Sequence, residues 1–284
     1  MTAQLNLGTY AQNTWCPGCG NFAILNAFKT AINELVSEGN PLEKFVLVSG
    51  IGCHAKIVDY INMNSFYSIH GRTLPVAEGI KLANKDLKVI CFAGDGDAYG
   101  EGLEHLIFAA KRNIDITMIV HNNRVYGLTT GQYTPTSPLG FKGRSTPQGT
   151  KELPLNPLEL MLASRATFLA RGTSHGIELL KRIFKEAMAH KGFSLVDTLQ
   201  VCVTYYNMYE YYDKRVYELK GHNAEDYNEA LGKVREWDYN TDAKIALGVF
   251  YKKISPTFEE KFLKAGISPM DRDLKIKGLL TNSI

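Results

Sequence analysis

Two kinds of segment alternate along this chain, and no other feature of the sequence constrains its fold as much. Short apolar, β-branched runs recur at residues 45–49, 89–93, 116–121, 167–170 and 193–196, each bounded by glycine or polar residues. Their length suits strands buried on both faces. Helix-length amphipathic stretches lie before and between them, at 22–38, 71–82, 102–112, 158–165 and 175–190. Strands alternating with helices predict an α/β fold, a parallel sheet with helices on both faces. Glycines cluster at 18–20, 50–52, 94–102 and 127–149, just after or between the apolar runs, where such a fold places its ligand-contacting loops.

Past Cys202 the character changes. Residues 205–238 are rich in Tyr, Glu and Lys and hold two helical patterns, around 213–219 and 224–237. A last apolar run at 245–251 precedes a polar tail. The expected division is one domain over 1–204 and a C-terminal arm over 205–284, packed on the domain or on a partner. Neither an internal repeat nor a low-complexity block interrupts this order.

The 284 residues are 45% hydrophobic and 21% charged, ordinary values for a globular chain with a substantial core. A net charge of +3 arises from interspersed signs, and no Lys/Arg block marks a nucleic-acid or membrane surface. The first 14 residues lack the basic and apolar regions of a signal peptide, and no apolar run reaches the roughly 18 residues that span a bilayer. A cytoplasmic protein is expected, without nucleic-acid or membrane partners.

Val89-Ile90-Cys91-Phe92-Ala93 runs into Gly94-Asp95-Gly96-Asp97. A helix pattern follows, and then a second strand ends in His121-Asn122-Asn123. This is one βαβ unit. A right-handed crossover makes its strands parallel, so both turns fall at the carboxyl edge of the sheet, where open α/β folds bind ligands. Asp95 and Asn123 can converge there. A carboxylate, an amide oxygen and a backbone carbonyl are hard donors suited to Mg²⁺, and glycines let a diphosphate approach the backbone. Either dipeptide alone is more often just a turn or a loop.

Five cysteines, at 16, 19, 53, 91 and 202, are an odd count in a chain too large to need disulfide staples. Trp15-Cys16-Pro17-Gly18-Cys19 has the local form of a thioredoxin redox motif, but it follows a polar leader rather than a strand. Cys53 and Cys202 come after strands, near the edge that carries Asp95. Four thiolates, Cys16, Cys19, Cys53 and Cys202, suit Zn²⁺ or a [4Fe–4S] cluster, and ligand count does not choose between them. Cys91 lies inside a strand and reads as a small buried hydrophobe.

The acidic turn followed one βαβ unit later by asparagines resembles the signature of thiamine-diphosphate enzymes. More specifically, WCPGCG (15–20), SGIGCH (49–54), HGR (70–72), GDGD (94–97), YGLTTGQ (126–132) and CVT (202–204) occur in the order found in β subunits of 2-oxoacid:ferredoxin oxidoreductases. The resemblance covers roughly residues 10–205, and 248–252 (GVFYK) is family-like too. It implies a thiamine-diphosphate-binding fold over 1–204, with Mg²⁺ on Asp95, Asn123 and the carbonyl of Val125. Gly96, Asp97, Gly127 and Leu128 would meet the diphosphate, and Ile51, Gly52, Cys53, His54 and His70 would contact the cofactor. Cys16, Cys19, Cys53 and Cys202 would hold one [4Fe–4S] cluster.

The implied activity is coenzyme A-dependent oxidative decarboxylation of a 2-oxoacid, with electrons passed through the cluster to ferredoxin. The GDGD form favours 2-oxoglutarate, with pyruvate as the other candidate. A second substrate carboxylate needs a cation; Lys56 is the first choice, with Lys142 and Arg144 beside it. No strand-and-glutamate pattern for a pyrimidine-binding domain occurs here, so the resemblance places that domain on a separate α subunit. His105 and His121 receive no role, and Arg72, Glu101 and Glu104 stay unassigned. The rival readings are a non-oxidative thiamine enzyme and a zinc-stabilised thiol–disulfide or binding protein.

Overall fold

A computed structural model describes residues 5–262 together with 277, 278 and 281. Most of the polar tail expected after residue 251 lies outside these. Eight strands form one sheet: β1 (Phe45–Ser49), β2 (Asn64–Tyr67), β3 (Lys88–Gly94), β4 (Ile116–Asn122), β5 (Phe168–Thr173), β6 (Ser194–Leu199), β7 (Val216–Glu218) and β8 (Ile245–Lys252). Their order across the sheet is β2-β1-β3-β4-β6-β5-β8-β7. Every pairing is parallel except that of β5 with β8.

The helices are α1 (Asn21–Ser37), α2 (Thr73–Ala83), α3 (Leu103–Arg112), α4 (Pro157–Ala163), α5 (Ile177–Ala189), α6 (Tyr209–Asp213), α7 (Tyr227–Arg235) and α8 (Phe258–Phe262). Local chemistry sets several of their ends. Asn156 accepts the Glu159 amide at the start of α4, with Pro157 in the first turn, where its missing N–H costs nothing. Asp226 caps α7 through the amides of Asn228 and Glu229.

Alternation along the central strands builds two cores. Val89, Cys91 and Ala93 of β3, with Met118 and Val120 of β4, pack with α2, α3, α4 and α7 on one face. Ile90, Phe92 and Ile119 face the other way, against Ile24, Phe28 and Ile32 of α1 and Phe184 and Ala187 of α5. Helices therefore cover both faces, as strands apolar on both sides demand. Cys91 is fully buried, among hydrophobic side chains.

The C-terminal region departs from the simple arm. The pattern over 213–219 is not one helix: α6 stops at Asp213, and Val216–Glu218 form β7 beside β8. Val216 and Tyr217 supply strand-forming side chains there, and the ladder is flanked by the Leu219 amide donating to the Leu247 carbonyl at 2.8 Å. Strand β8 joins the main sheet directly against β5, with a bulge between Leu169 and Ala170. Trp237, Tyr239 and Leu247 share a third core with Leu199 and Val201, so this region and the preceding one are packed as neighbours.

This topology positions the site. β1, β3, β4 and β6 are adjacent, and their carboxyl ends are level: Gly94 pairs with His121, and Asn122 with Leu199. Loops starting at Gly50, Asp95, Asn123 and Gln200 therefore rise from one edge. Among the described residues no helix is long and apolar enough to cross a membrane.

Candidate functional site

Those loops enclose a cleft of about 80 Å³ whose lining includes every residue expected to meet magnesium or the thiamine cofactor, from Ile51 and His70 through Asp95 to Leu128. A second cavity of about 230 Å³ lies against it, lined by Cys16, Cys19, Cys53, Cys202 and Lys56. Cys53, Asn123, Gly127 and Leu128 belong to both linings and form the wall between them.

Asp95 is 2% exposed, and burial pushes its carboxyl up to about 6, against the opposing effect of nearby threonine hydroxyls. One of these, Thr136, donates to Asp95 Oδ2 at 2.8 Å. A carboxylate held in so dry a place is stabilised by a cation beside it. Asn123 gives its N–H₂ to Gln200 Oε1 at 2.9 Å, while its Oδ1 accepts the Val125 amide at 3.1 Å. Its oxygen keeps a second lone pair. These hard oxygens fit Mg²⁺.

Asp97, expected against a diphosphate, also has a structural task. It lines the cleft, but its carboxylate accepts the Gly71 amide at 2.5 Å and the Ile51 amide at 3.2 Å, and lies 3.3 Å from His54 Nε2. It ties three loops together. A Cβ on Gly50 would stand 1.7 Å from Asp97 Oδ2, so glycine is required for the loops to close on it. Gly96 faces a similar restriction, since a Cβ there would fall 2.1 Å from Tyr126 Cε1. That ring donates its hydroxyl proton to the Gly96 carbonyl at 3.1 Å.

Among the described residues, no three Cys, His, Asp or Glu side chains converge on a point as the ligands of one ion would. The four thiols surround the larger cavity instead. Cys19 is pushed up to about 12, chiefly by burial, with the Cys202, Cys53 and Cys16 thiols each adding to the rise. Burial also raises Cys53, and Lys56 opposes it. Thiols that hinder one another's ionisation become a stable thiolate set when a cationic metal group occupies their centre. Trp15 fixes one wall by donating its indole N–H to the Cys53 carbonyl at 2.6 Å.

His70 Nδ1 stands 3.0 Å from Glu101 Oε2, and its ring lies 6.0 Å from that of Tyr126. Lys56 Nζ donates to Thr14 Oγ1 at 2.7 Å on the thiol side of the wall. Lys142 lines neither cavity, nor does Arg144, whose guanidinium bonds Thr130 Oγ1. His121, given no role, is buried beside His54, with ring centroids 5.8 Å apart, and shares a hydrogen bond with Asn21 at 2.8 Å. Tyr126, Thr136 and Gln200 are the functional candidates that sequence reasoning passes over. Tyr126 opens the YGLTTGQ motif, whereas nothing local marks the other two.

Two family models match the chain. Residues 50–198 match the family model described as thiamine pyrophosphate enzyme, C-terminal TPP binding domain. Residues 202–265 match the model for the C-terminal part of the pyruvate ferredoxin oxidoreductase beta subunit. The chain is 44% identical over 276 residues to the 2-oxoacid:ferredoxin oxidoreductase subunit beta of Saccharolobus solfataricus, covering 91% of this chain and 88% of that one. Against the 2-oxoglutarate synthase subunit KorB of Archaeoglobus fulgidus the identity is 37% over 254 residues, 88% of each chain. A solved 2-oxoglutarate:ferredoxin oxidoreductase from Magnetococcus marinus, with 2-oxoglutarate, coenzyme A and succinyl-CoA bound, superposes with a TM-score of 0.86. Its sequence identity is 32%, and the match covers 96% of this chain and 94% of that one.

Proposed function

Because the chain belongs to the β subunits of the 2-oxoacid:ferredoxin oxidoreductases, of the 2-oxoglutarate type, we propose that it holds thiamine diphosphate, Mg²⁺ and one [4Fe–4S] cluster at the carboxyl edge of its sheet. With an α subunit that bears the pyrimidine-binding domain, it takes part in the coenzyme A-dependent oxidative decarboxylation of 2-oxoglutarate, pyruvate being the alternative substrate. Ferredoxin is the electron acceptor. When bound, the thiamine group supplies the electron sink for decarboxylation and the cluster supplies a one-electron acceptor beside it.

The chain's own residues prepare that chemistry. Asp95, Asn123 and the Val125 carbonyl would hold Mg²⁺, and Gly96, Gly127 and Leu128 would contact the diphosphate. Ile51 and His54, which with Gly52 would contact the cofactor, are held in place through Asp97. The contact of His70 Nδ1 with Glu101 favours the Nδ1–H tautomer, leaving Nε2 to accept or return a proton in the cleft. Lys56 offers the positive charge that a second substrate carboxylate needs.

The wall shared by the two cavities carries this reading: the oxygen donors and the four thiols meet across Cys53, Asn123, Gly127 and Leu128. Zinc fits the thiols less well. Zn–S bonds of about 2.3 Å put four sulfurs roughly 3.8 Å apart, and no such convergence occurs among the described residues. A four-iron cluster gives each iron its own thiolate and spreads them wider.

The test is anaerobic coexpression with the α subunit, followed by iron and sulfide analysis and coenzyme A-dependent viologen reduction with a panel of 2-oxoacids. Four irons per chain and a visible absorbance bleached by dithionite are expected. A colourless complex containing stoichiometric zinc, or a Cys53→Ser variant with its full iron, overturns the assignment.

A further inference from the structure

We infer that Gln200 is a positioning residue joining the two halves of the site: its amide oxygen orients Asn123 for the metal, and its amide N–H₂ donates to the sulfur of Cys19. The role rests on the magnesium and cluster placement proposed above.

Gln200 is the first residue after β6 and is 2% exposed. Its backbone is pinned, because its N–H donates to the Asn122 carbonyl at 2.9 Å. Its side chain makes three contacts. Oε1 accepts from Asn123 Nδ2 at 2.9 Å, Nε2 donates to the Val201 carbonyl at 2.6 Å, and the same Nε2 stands 3.5 Å from Cys19 Sγ.

Amide oxygen and nitrogen are interchangeable by shape, but backbone groups fix both ends of this chain of contacts. The Val125 N–H can only donate, so the Asn123 atom 3.1 Å from it is the oxygen. The Asn123 nitrogen then faces Gln200, whose atom there is the oxygen. At the far end the Val201 carbonyl can only accept, so the Gln200 group facing it is the N–H₂. Either amide turned over would set donor against donor or acceptor against acceptor.

Two consequences follow from the fixed orientation. Without Gln200, the Val125 N–H alone would hold the Asn123 amide, and its oxygen would be aimed less firmly as a metal ligand. The second Gln200 proton, meanwhile, is directed at a cluster ligand, and hydrogen bonds to cluster sulfurs are among the factors that set the reduction potential. Stabilising the extra negative charge of the reduced cluster raises it.

Two substitutions in the anaerobic α–β complex separate these effects. Gln200→Glu, protonated on the oxygen that faces the Val201 carbonyl, keeps an acceptor for Asn123 but has no second proton for Cys19; Gln200→Leu removes both contacts. The readouts are the reduced-to-oxidised cluster ratio, followed by electron paramagnetic resonance at the wild-type midpoint, and half-saturating Mg²⁺ by calorimetry at saturating thiamine diphosphate. Gln200→Glu should lower the ratio roughly tenfold, about 59 mV for a one-electron couple, with magnesium affinity no weaker. Gln200→Leu should lower the ratio too and weaken magnesium roughly tenfold, as loss of an oriented ligand does.

An unchanged ratio in Gln200→Glu, or unchanged magnesium binding in Gln200→Leu, overturns the inference. If Gln200→Leu does not assemble, Gln200→Glu decides alone, since weakened magnesium binding in that variant contradicts the proposed division. A wild-type complex lacking iron, or binding thiamine diphosphate without magnesium, overturns the placement itself.

Discussion

Thr136 Oγ1 lies 2.8 Å from Asp95 Oδ2 and has only one proton to give, although the Asn122 amide oxygen, at 2.9 Å, also competes for it. The threonine therefore relieves the buried carboxylate only in part. Behind it Asn122 donates to Asp197, which also accepts the hydroxyl protons of Tyr99 at 2.9 Å and Tyr239 at 2.5 Å. The hydrogen-bonded floor beneath Asp95 thus continues into the C-terminal region.

Magnesium binding should report the raised carboxyl of Asp95. Its folded-state value of about 6 lies above the ordinary 3.8, so ionising it disfavours the metal-free fold as pH rises through 6, and a bound cation offsets that cost. Proton and metal compete below pH 6. Calorimetry should give an affinity that is flat above pH 7 and falls roughly tenfold per pH unit below 6. Proton release on binding near pH 6 should appear as a dependence of the heat on buffer ionisation.

Gly96→Ala should impair cofactor binding more than folding. The φ of −67° at Gly96 suits any residue, so the obstacle is the Tyr126 ring 2.1 Å from the added Cβ. Moving that ring into the cleft should weaken thiamine-diphosphate binding tenfold or more, with roughly 1–3 kcal/mol of overpacking. Adding Tyr126→Ala should recover part of the binding, measured by calorimetry.

Lys56→Met should separate substrates. A charged hydrogen bond contributes roughly 1.5–3 kcal/mol, so kcat/KM for 2-oxoglutarate should fall on the order of 10- to 100-fold, with pyruvate nearly unaffected. Steady-state viologen reduction with both acids checks this; equal losses would assign Lys56 to the thiol-lined cavity rather than to the substrate.

His190 should set part of the acid limb of stability, far from the site. It is 5% exposed, bonds Thr167 Oγ1 at 2.9 Å, and is lowered to about 4, first by burial and then by Lys252. Between pH 6.5 and 4 the unfolded chain binds a proton that the native imidazole does not, so stability falls as pH drops through that window. Denaturant melts of His190→Gln should show a shallower pH slope there than wild type, whatever its stability at pH 8.

The central strands are legible because each has apolar residues on both faces, and the site edge follows from the βαβ unit that brings Asp95 and Asn123 together. Strand β2 escapes notice because all four of its residues are exposed, so no apolar pattern marks it. β7 is three residues long, and its Tyr and Glu fit a helical pattern equally well until β8 is in place beside it. Asp97 is legible as a site residue, yet its function as a tie between loops depends on Ile51 and Gly71, which lie 46 and 26 residues away. Gln200 has no local signature at all. Apart from its neighbour Val201, its side-chain partners Asn123 and Cys19 come from distant parts of the chain.

The antiparallel seam between β5 and β8 bears on how the protein is made. A ribosome delivers β5 long before residues 245–252 exist, and during that interval the strand offers an open row of amides and carbonyls to any other nascent chain. Slow synthesis or truncation before Lys252 should therefore favour aggregation over a smaller folded product. The short β7, whose Glu218 pairs with Arg182, ends the growing sheet with a charged border too brief to template another strand.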